Sequence, residues 1–308
     1  GLDLLDLKTG IAEHIPTTQT LSRNIKTILR QSDSEMWIGG DDGLKLYNFK
    51  SKRAKEIALN LNTPGGGSIS SLIHDHRGEV WAGSAAGLYR IDAQGKVKTY
   101  RADSNQIGTL SHDTVDCLLE DKQKNLWIGT KGGIQLWDNK TESFSQPIRP
   151  NADLKNPAGL SIYGLHQDAK ERIWVGTSFG LFQLVQNGTQ WELQSWRKVK
   201  GMPEGWVISI QHDKQGDLWL GAEQGLVHLK LNQNQARVYT SSDGPIEGTF
   251  NFGASTMLAD GQLLFGSIGL LAFHPSDLKE NDTPVQVVLS DILEFNQSLS
   301  EVRADNEV

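Results

Sequence analysis

Residues that could carry out catalysis or hold a metal are few and scattered in this 308-residue sequence. The eight histidines form no His-x-x-x-His pair, and the single cysteine, Cys117, excludes a zinc site built on several thiolates. No Gly-x-Ser-x-Gly turn and no glycine-rich phosphate loop occurs. The sequence therefore predicts no catalytic residue, no bound metal and no cofactor.

Side chains suited to holding a ligand without transforming it occur at loop positions. The candidate ligand-binding residues are Trp206, Asn251, Phe250, Arg23, Asn24, His112, Asp113, Asp41, Asp42, Lys131, Phe179, Glu223 and Gln224. Trp206 leads this set, because an aromatic ring beside amides and carboxylates suits a sugar, which has an apolar face and hydroxyl edges. The alternative is that Trp206 plugs a central channel or packs against a neighbouring domain.

An internal repeat must position these residues. The pattern Trp-apolar-Gly, followed by Gly-Leu or Gly-Ile, recurs every 44 to 47 residues, with a degenerate last copy, LFGSIGL. The six copies begin at Trp37, Trp81, Trp127, Trp174, Trp219 and Leu264. A period of this length, with several short strands in each unit, is typical of β-propellers. The sequence predicts an all-β propeller of four-stranded antiparallel blades.

The register within the repeat assigns most prominent residues to architecture. An apolar residue precedes each anchor by twelve positions, at Ile25, Ile69, Val115, Ile162, Val207 and Phe252. Aspartates recur in the turn that follows the innermost strand, at Asp75, Asp121, Asp168 and Asp213. We expect the tryptophans to fill the core, the nearby glycines to leave room for the next blade, and the aspartates to accept backbone N–H groups.

The two ends of the sequence depart from the regular repeat. The segment GLDLLDLKTG and the following IAEHI read as the third and fourth strands of a further blade, which favours seven blades over six. We expect a propeller over residues 1–274, a polar linker over 275–284 and the truncated start of a β-sandwich over 285–308. On this interpretation the chain is a piece of a longer protein.

Charge and hydropathy exclude several classes of partner. The net charge is −7, and basic residues form no stripe with aromatics between them, which argues against nucleic-acid binding. No run of 18 apolar residues is present, so we expect no direct membrane contact in this segment. A single cysteine is compatible with the periplasm or the cytoplasm.

The repeats resemble those of the two-component regulator propeller family. The stretch NQIGTLSHDTVDCLLEDKQKNLWIGTKGGIQLWDNKTESF, from Asn105 to Phe144, is similar to the family unit along its whole length. The segment DGPIEGTFNFG, which leads to LFGSIGLLAFHP, resembles the family's closing repeat. PVQVVLSDILEFNQ resembles the first strand of the β-sandwich that usually follows.

This resemblance implies an extracytoplasmic sensor. Such propellers form the periplasmic part of inner-membrane receptors whose output is a histidine kinase, a hybrid regulator or a diguanylate cyclase. The resemblance further implies a homodimer in the full receptor and an oligosaccharide or other small ligand, without enzymatic activity in this segment. The sequence departs from the family in having no output domain and no complete sandwich.

Two other functions stay open at the level of sequence. A propeller lyase or hydrolase, such as the streptogramin lyases, would need histidine and acidic residues gathered at the central funnel. Only His112, Asp113 and Glu223 are candidates for that position. A scaffold for protein–protein contact or dimerisation is the third interpretation.

Overall fold

The computed structural model describes residues 2–6, 9–15, 24–59, 67–152, 154–188, 190–244 and 248–278, together with the backbone of 293–294 and 297–298. Short strands dominate these ranges, and 3-10 turns occur at Pro157–Gly159, Ser241–Asp243 and Pro275–Asp277. In the part of the chain that is described, no helix is long and apolar enough to cross a membrane.

Five antiparallel sheets of four strands each follow one another along the chain. Blade 1 comprises β3 Ile25–Arg30, β4 Glu35–Gly40, β5 Gly43–Asn48 and β6 Arg53–Ile57. Blade 2 comprises β7 Ile69–His74, β8 Val80–Ser84, β9 Gly87–Ile91 and β10 Val97–Tyr100. Blade 3 comprises β11 Val115–Glu120, β12 Leu126–Thr130, β13 Gly133–Asp138 and β14 Ser143–Ser145. Blade 4 comprises β15 Ile162–Gln167, β16 Ile173–Thr177, β17 Gly180–Asn187 and β18 Gln190–Ser195. Blade 5 comprises β19 Val207–His212, β20 Leu218–Ala222, β21 Gly225–Lys230 and β22 Gln235–Tyr239.

A sixth sheet has three strands, β23 Ser255–Met257, β24 Leu263–Gly266 and β25 Leu270–Phe273, and forms blade 6. The first strand of each blade contacts the first strand of the next, from β3 through β7, β11, β15 and β19 to β23. All six blades contribute to the wall of one central channel. The predicted propeller of four-stranded antiparallel blades is thus confirmed, and the described ranges contain six blades.

The anchor residues hold neighbouring blades together as predicted. Trp81, Trp127, Trp174 and Trp219 are fully buried. The glycine two residues after each tryptophan lies against the first apolar residue of the next blade. At Gly176 an added Cβ would lie 2.6 Å from the carbonyl oxygen of Val207, so a side chain there would force the blades apart.

The turn aspartates accept backbone N–H groups as predicted, and they also bind the anchor tryptophans. In blade 4, one oxygen of Asp168 accepts the backbone N–H groups of Lys170 and Arg172 at 2.9 and 3.0 Å. The other accepts the indole N–H of Trp174 at 2.9 Å. Asp75, Asp121 and Asp213 make the same bond to their own tryptophans. Carboxylate and indole therefore form one buried unit in each of these four blades.

The predicted register is wrong in blade 6. Phe250, not Phe252, occupies the buried position that the first apolar residue takes in the other blades. It lies against Gly221 of blade 5, where an added Cβ would be 2.9 Å from the Cβ of Phe250. Phe250 is 4% exposed and packs edge to face against Phe265. Phe252 is 57% exposed and lines the channel instead.

The first described residues form a separate antiparallel hairpin of β1 Leu2–Leu5 and β2 Ala12–Ile15. Leu2 is buried with Ile38 and Tyr47 of blade 1. Equivalent leucines pack in the same way: Leu88 of blade 2 is buried with Ile128 and Trp137 of blade 3. The hairpin thus occupies the position of the outer two strands of a blade next to blade 1.

A cavity of about 600 Å³ lies between blade 6 and β3, and Leu2 also lines it. We call this region the seam. The chain divides into two units, Gly1–Pro275 and Ser276–Val308. In the second unit, β26 Leu293–Glu294 pairs with β27 Gln297–Ser298. Most of the predicted linker and sandwich segments lie outside the described residues.

Candidate ligand-binding face

Two sets of loops share one end of the blades, which we call the upper face: the loops that lead into the innermost strands and the turns that join second to third strands. Backbone hydrogen bonds join the two sets. Asp41 donates to the carbonyl of Asn24 at 3.2 Å, and Glu223 donates to the carbonyl of Trp206 at 3.2 Å. Residues that are far apart in sequence within each repeat therefore meet at this face.

Each innermost strand of blades 1 to 5 begins with a β-bulge. The pairing with the second strand skips one residue directly after the first apolar residue. The skipped residues are Lys26, Ser70, Asp116, Tyr163 and Ile208. A bulge re-aims the extra side chain away from the regular ladder. All five residues line the central channel, a cavity of about 300 Å³.

Asp116 is a partly buried acid in the channel wall. One of its carboxylate oxygens is shielded from solvent and has no hydrogen-bond partner among the described residues. Burial raises the pKa of Asp116, although the positive charges of Lys131, His112 and Lys26 oppose this rise. Since His112 and Lys131 belong to the upper-face loops, Asp116 lies where the channel meets that face. We call this region the channel mouth.

An aromatic pair forms another part of the channel wall. The rings of Tyr163 and Phe252 meet edge to face, with centroids 5.2 Å apart. Phe252 keeps 57% of its surface exposed, so its ring is accessible from the channel. Edge-to-face contact fixes the two rings relative to each other.

Polar residues of blades 1 and 2 form a network beside the channel. The ammonium group of Lys26 lies 2.9 Å from Asp41 and donates to the hydroxyl of Ser68 at 2.8 Å. Asn24 donates to the same carboxylate at 2.9 Å. These bonds lower the pKa of Asp41, with the bond from Lys26 as the largest cause. The structure thus brings together two of the predicted residues, Asn24 and Asp41, and adds Lys26.

The remaining predicted residues have varied surroundings. Trp206 is 38% exposed and Phe179 is 55% exposed, so both rings are open to solvent on the upper face. Asp113 accepts the backbone N–H of Ala102 at 2.7 Å, and Asn251 donates to the carbonyl of Ser267 at 2.9 Å.

The amide of Gln224 donates to the carbonyl of Glu204 at 3.2 Å. The ring of His112 accepts the backbone N–H of Thr114 at 2.9 Å. Asp42 is exposed in its turn. Arg23 lies outside the described residues. Phe250 is buried in blade 6, and packing rather than ligand contact explains it.

The groups that could bind metal or act as nucleophiles have structural surroundings. Asp213, Asp217 and His228 form a compact cluster, but Asp213 belongs to the carboxylate–indole unit and His228 stacks on Trp219 at 4.1 Å. Cys117 is buried, and burial raises the pKa of its thiol well above the ordinary value. A thiol in this state is a poor nucleophile.

Deeper in the channel, the rings of His166 and His212 are joined by a hydrogen bond of 2.7 Å. Burial, followed by the neighbouring His212, lowers the pKa of His166 to about 4. His166 is therefore neutral at neutral pH.

Sequence reasoning missed Lys26, Asp116, Tyr163 and Phe252. A usable signal was present, because the residue directly after the first apolar residue is chemically different in every blade. Positions devoted to packing are similar in all blades, whereas this position carries an ammonium, a hydroxyl, a carboxylate, a phenol or an alkyl group.

The family's sequence pattern, described as two component regulator propeller, matches residues 109–132 and 201–224. Each match runs from the upper-face loop through the innermost strand to the anchor tryptophan. Two units of this chain are therefore similar to the two component regulator propeller repeat. The predicted resemblance is confirmed for these two segments, which contain His112 and Asp116 in one blade and Trp206 in the other.

The chain is also similar to parts of larger proteins. It is 26% identical to histidine kinase P4 of Formosa agariphila, over 97% of this chain and 22% of that protein. The fold is similar to the extracellular domain of a one component system, BT4673, from B. thetaiotaomicron, with 18% identity and a TM-score of 0.67 over 85% of this chain and 34% of that one. The chain thus spans about a fifth of the kinase and a third of that structure.

The fold is also similar to virginiamycin B lyase from Staphylococcus aureus, with 14% identity and a TM-score of 0.65 over 88% of this chain and 86% of that one. At this level of identity both structural likenesses concern the propeller fold.

Proposed function

We propose that this chain is the ligand-sensing propeller of a membrane-bound receptor of the histidine kinase type, located outside the cytoplasm. The similarity to histidine kinase P4 over 97% of the chain carries this proposal. The likeness to an extracellular receptor domain supports the location. Within the propeller, the upper face and the channel mouth present aromatic, charged and amide groups that packing does not require.

In this proposal the propeller binds its ligand without transforming it, and the receptor is a homodimer. Ligand binding shifts the population between two arrangements of the dimer, by no more than the ligand's difference in affinity for them. We further propose an oligosaccharide as the ligand, since exposed aromatic rings beside carboxylates and amides match the two faces of a sugar.

Calorimetry of the chain against a panel of oligosaccharides tests the sugar proposal. We expect binding that Trp206→Ala and Asn251→Ala weaken by about tenfold or more, because each removes a contact on the upper face. Lys170→Ala is the control, since this exposed side chain lies on the opposite rim. The proposal fails if no glycan binds. If the variants instead abolish dimerisation in the full receptor and leave glycan binding intact, the scaffold function is favoured.

We also propose that the complete ring has seven blades, with β1 and β2 as the outer strands of the seventh. The seam supports this. Gly266 corresponds to Gly176, but the three atoms nearest to its added Cβ belong to Ala254 and Asn251 of its own blade instead of a neighbouring one. A structure of the whole receptor tests the proposal. We expect two inner strands between β23 and β3, and direct packing of β23 on β3 would contradict it.

A further inference from the structure

The strongest unexplained feature of the molecule is the chemistry of its bulge positions. Two of the polar bulge residues are already engaged. The hydroxyl of Ser70 donates to the carbonyl of Val115 at 2.8 Å, and Lys26 is paired with Asp41. Asp116, which lies on the wall of the same channel, is left with a shielded carboxylate oxygen that has no partner among the described residues.

Asp116 is only partly buried and lines the channel, so its carboxylate is open to a ligand that donates hydrogen bonds. An ionised carboxylate accepts hydrogen bonds only, and leaving such a group buried and unmatched is unfavourable. A hydroxyl or an ammonium group would satisfy Asp116, whereas a carboxylate or a sulfate would meet it with like charge. At the position of Asp116, a hydrogen-bond donor is therefore favoured over an anion.

The aromatic pair supplies a complementary apolar surface. Phe252 is more than half exposed in the channel, and its contact with Tyr163 holds the ring in place. Such a ring packs against the C–H face of a sugar while the hydroxyl edges reach polar groups. Its exposure is otherwise unfavourable, because a large apolar side chain gains free energy by burial.

The size of the channel limits what enters it. A volume of about 300 Å³ lies at the lower end of the range for small-molecule pockets. One six-membered ring fits this volume, and the rest of a longer ligand would extend over the upper face towards Trp206.

We propose that the channel mouth binds one terminal ring that carries hydrogen-bond donors and no negative charge, a neutral or amino sugar residue, with Asp116 as the residue that excludes acidic sugars. Tyr163 and Phe252 bind the ring's apolar face. This inference rests on the proposed ligand-sensing function and adds the position of the ring and the charge selectivity.

Saturation-transfer NMR and calorimetry with monosaccharides test the inference. The probes are glucose, galactose and mannose, their 2-amino derivatives and their uronic acids. We expect the neutral or amino form of at least one series to bind about tenfold or more tightly than its uronic acid. Asp116→Asn should reduce this ratio, and Phe252→Ala should weaken all forms equally, because the ring contact is independent of charge.

Two controls keep the outcomes distinct. Lys170→Ala should leave every affinity unchanged, and circular dichroism should show that both channel variants fold. The inference is overturned if uronic acids bind as tightly as neutral sugars, or if Asp116→Asn leaves the ratio unchanged. If Trp206→Ala removes oligosaccharide binding and the channel variants do not weaken it, the sensing function stands and the channel pocket does not. If no sugar binds to the chain, both proposals fail.

Discussion

Blades 2 to 5 and the two blades beside the seam share one repeat pattern but bury it to different extents. Leu118 of β11 and Ile210 of β19 are 7% and 6% exposed, whereas Ile28, at the same repeat position in β3, is 52% exposed. On the other side of the seam, Ile268 and Leu270 are 81% and 58% exposed. Burial in this fold therefore depends on the neighbouring blade as much as on the residue itself.

The same comparison shows that the anchor tryptophan and the turn aspartate act as a unit. In blade 6 the anchor is Leu264, and the residue six positions earlier is Leu258 instead of aspartate. In blade 1 the anchor Trp37 is retained, and it donates to the side chain of Gln31 at 2.6 Å. An indole N–H in a blade core needs an acceptor, and when the indole is absent the acceptor is absent too.

Replacing the anchor tryptophan of an interior blade should have the largest effect on the free energy of unfolding. Trp174→Ala should lower the free energy of unfolding by about 3–5 kcal/mol, because the side chain is fully buried. Leu264→Ala should lower it far less, since Leu264 is only partly buried and lines the seam cavity. Urea denaturation of both variants measures the difference. Equal losses would mean that the seam blade is packed as tightly as the interior ones.

Two phenylalanines of blade 6 test the register. Phe250→Ala should cost about 3–5 kcal/mol of stability, because it removes a buried ring beside Gly221. Phe252→Ala should cost less than about 1 kcal/mol, since most of that ring is exposed in the channel. Thermal and urea unfolding give both values. A larger loss for Phe252→Ala would restore the register predicted from the anchor spacing.

Acid should lower the stability that the turn aspartates of the interior blades contribute, and Asp168 is the test case. Burial alone would raise the pKa of Asp168, but hydrogen bonds from Trp174 and Arg172 outweigh it, and the pKa is lowered below its ordinary value of 3.8. The ionised form therefore stabilises the fold above that pH, and its contribution is lost as the pH falls through the lowered pKa. At neutral pH, Asp168→Asn should cost about 2–3 kcal/mol.

Urea denaturation between about pH 7 and pH 3 checks this expectation. The gap between the wild-type protein and Asp168→Asn should be constant near neutrality and should narrow in acid. Asp260→Asn is the matched control in blade 6, because Asp260 is 62% exposed and should contribute little at any pH. A gap that widens in acid would contradict the assigned hydrogen bonds.

The contribution of Asp116 to stability should depend on pH in the opposite direction to that of Asp168, and its size should be the smallest of these effects. Because its pKa is raised, the folded protein is destabilised as the pH rises from 3.8 through the raised value, and the penalty is complete above it. Asp116→Asn should therefore stabilise the protein by about 1 kcal/mol at neutral pH and by nothing in strong acid. The same denaturation series measures it. A loss of stability at neutral pH would show that the carboxylate has a partner.

Much of the fold could be predicted because each blade repeats the same packing problem. The tryptophan, the glycine two residues later and the turn aspartate each have one physical role, and their spacing fixes the strands around them. In blade 6 the spacing predicted the wrong core residue. Its first strand is shortened to Ser255–Met257, and turn bonds, such as that from Ala254 to Asn251, hold the preceding residues. The constant spacing therefore pointed to Phe252 when Phe250 was the core residue.

The candidate site was harder to predict than the fold. Trp206 and Phe179 were chosen for their loop positions, and both are exposed. Loop position did not identify Asp116, because the sequence does not show that a bulge turns this residue towards the axis. The contact between Tyr163 and Phe252 joins blades 4 and 6, and the pattern within one repeat contains no information about it.

The bulges also bear on how such a protein can change over evolutionary time. Each of blades 1 to 5 carries one bulge side chain that lines the channel. Substitutions at these five places would alter the shape and charge of the channel while the hydrophobic layers between blades stay the same. Duplicated genes with this architecture could thus acquire different ligands through a handful of point mutations, with little risk to folding.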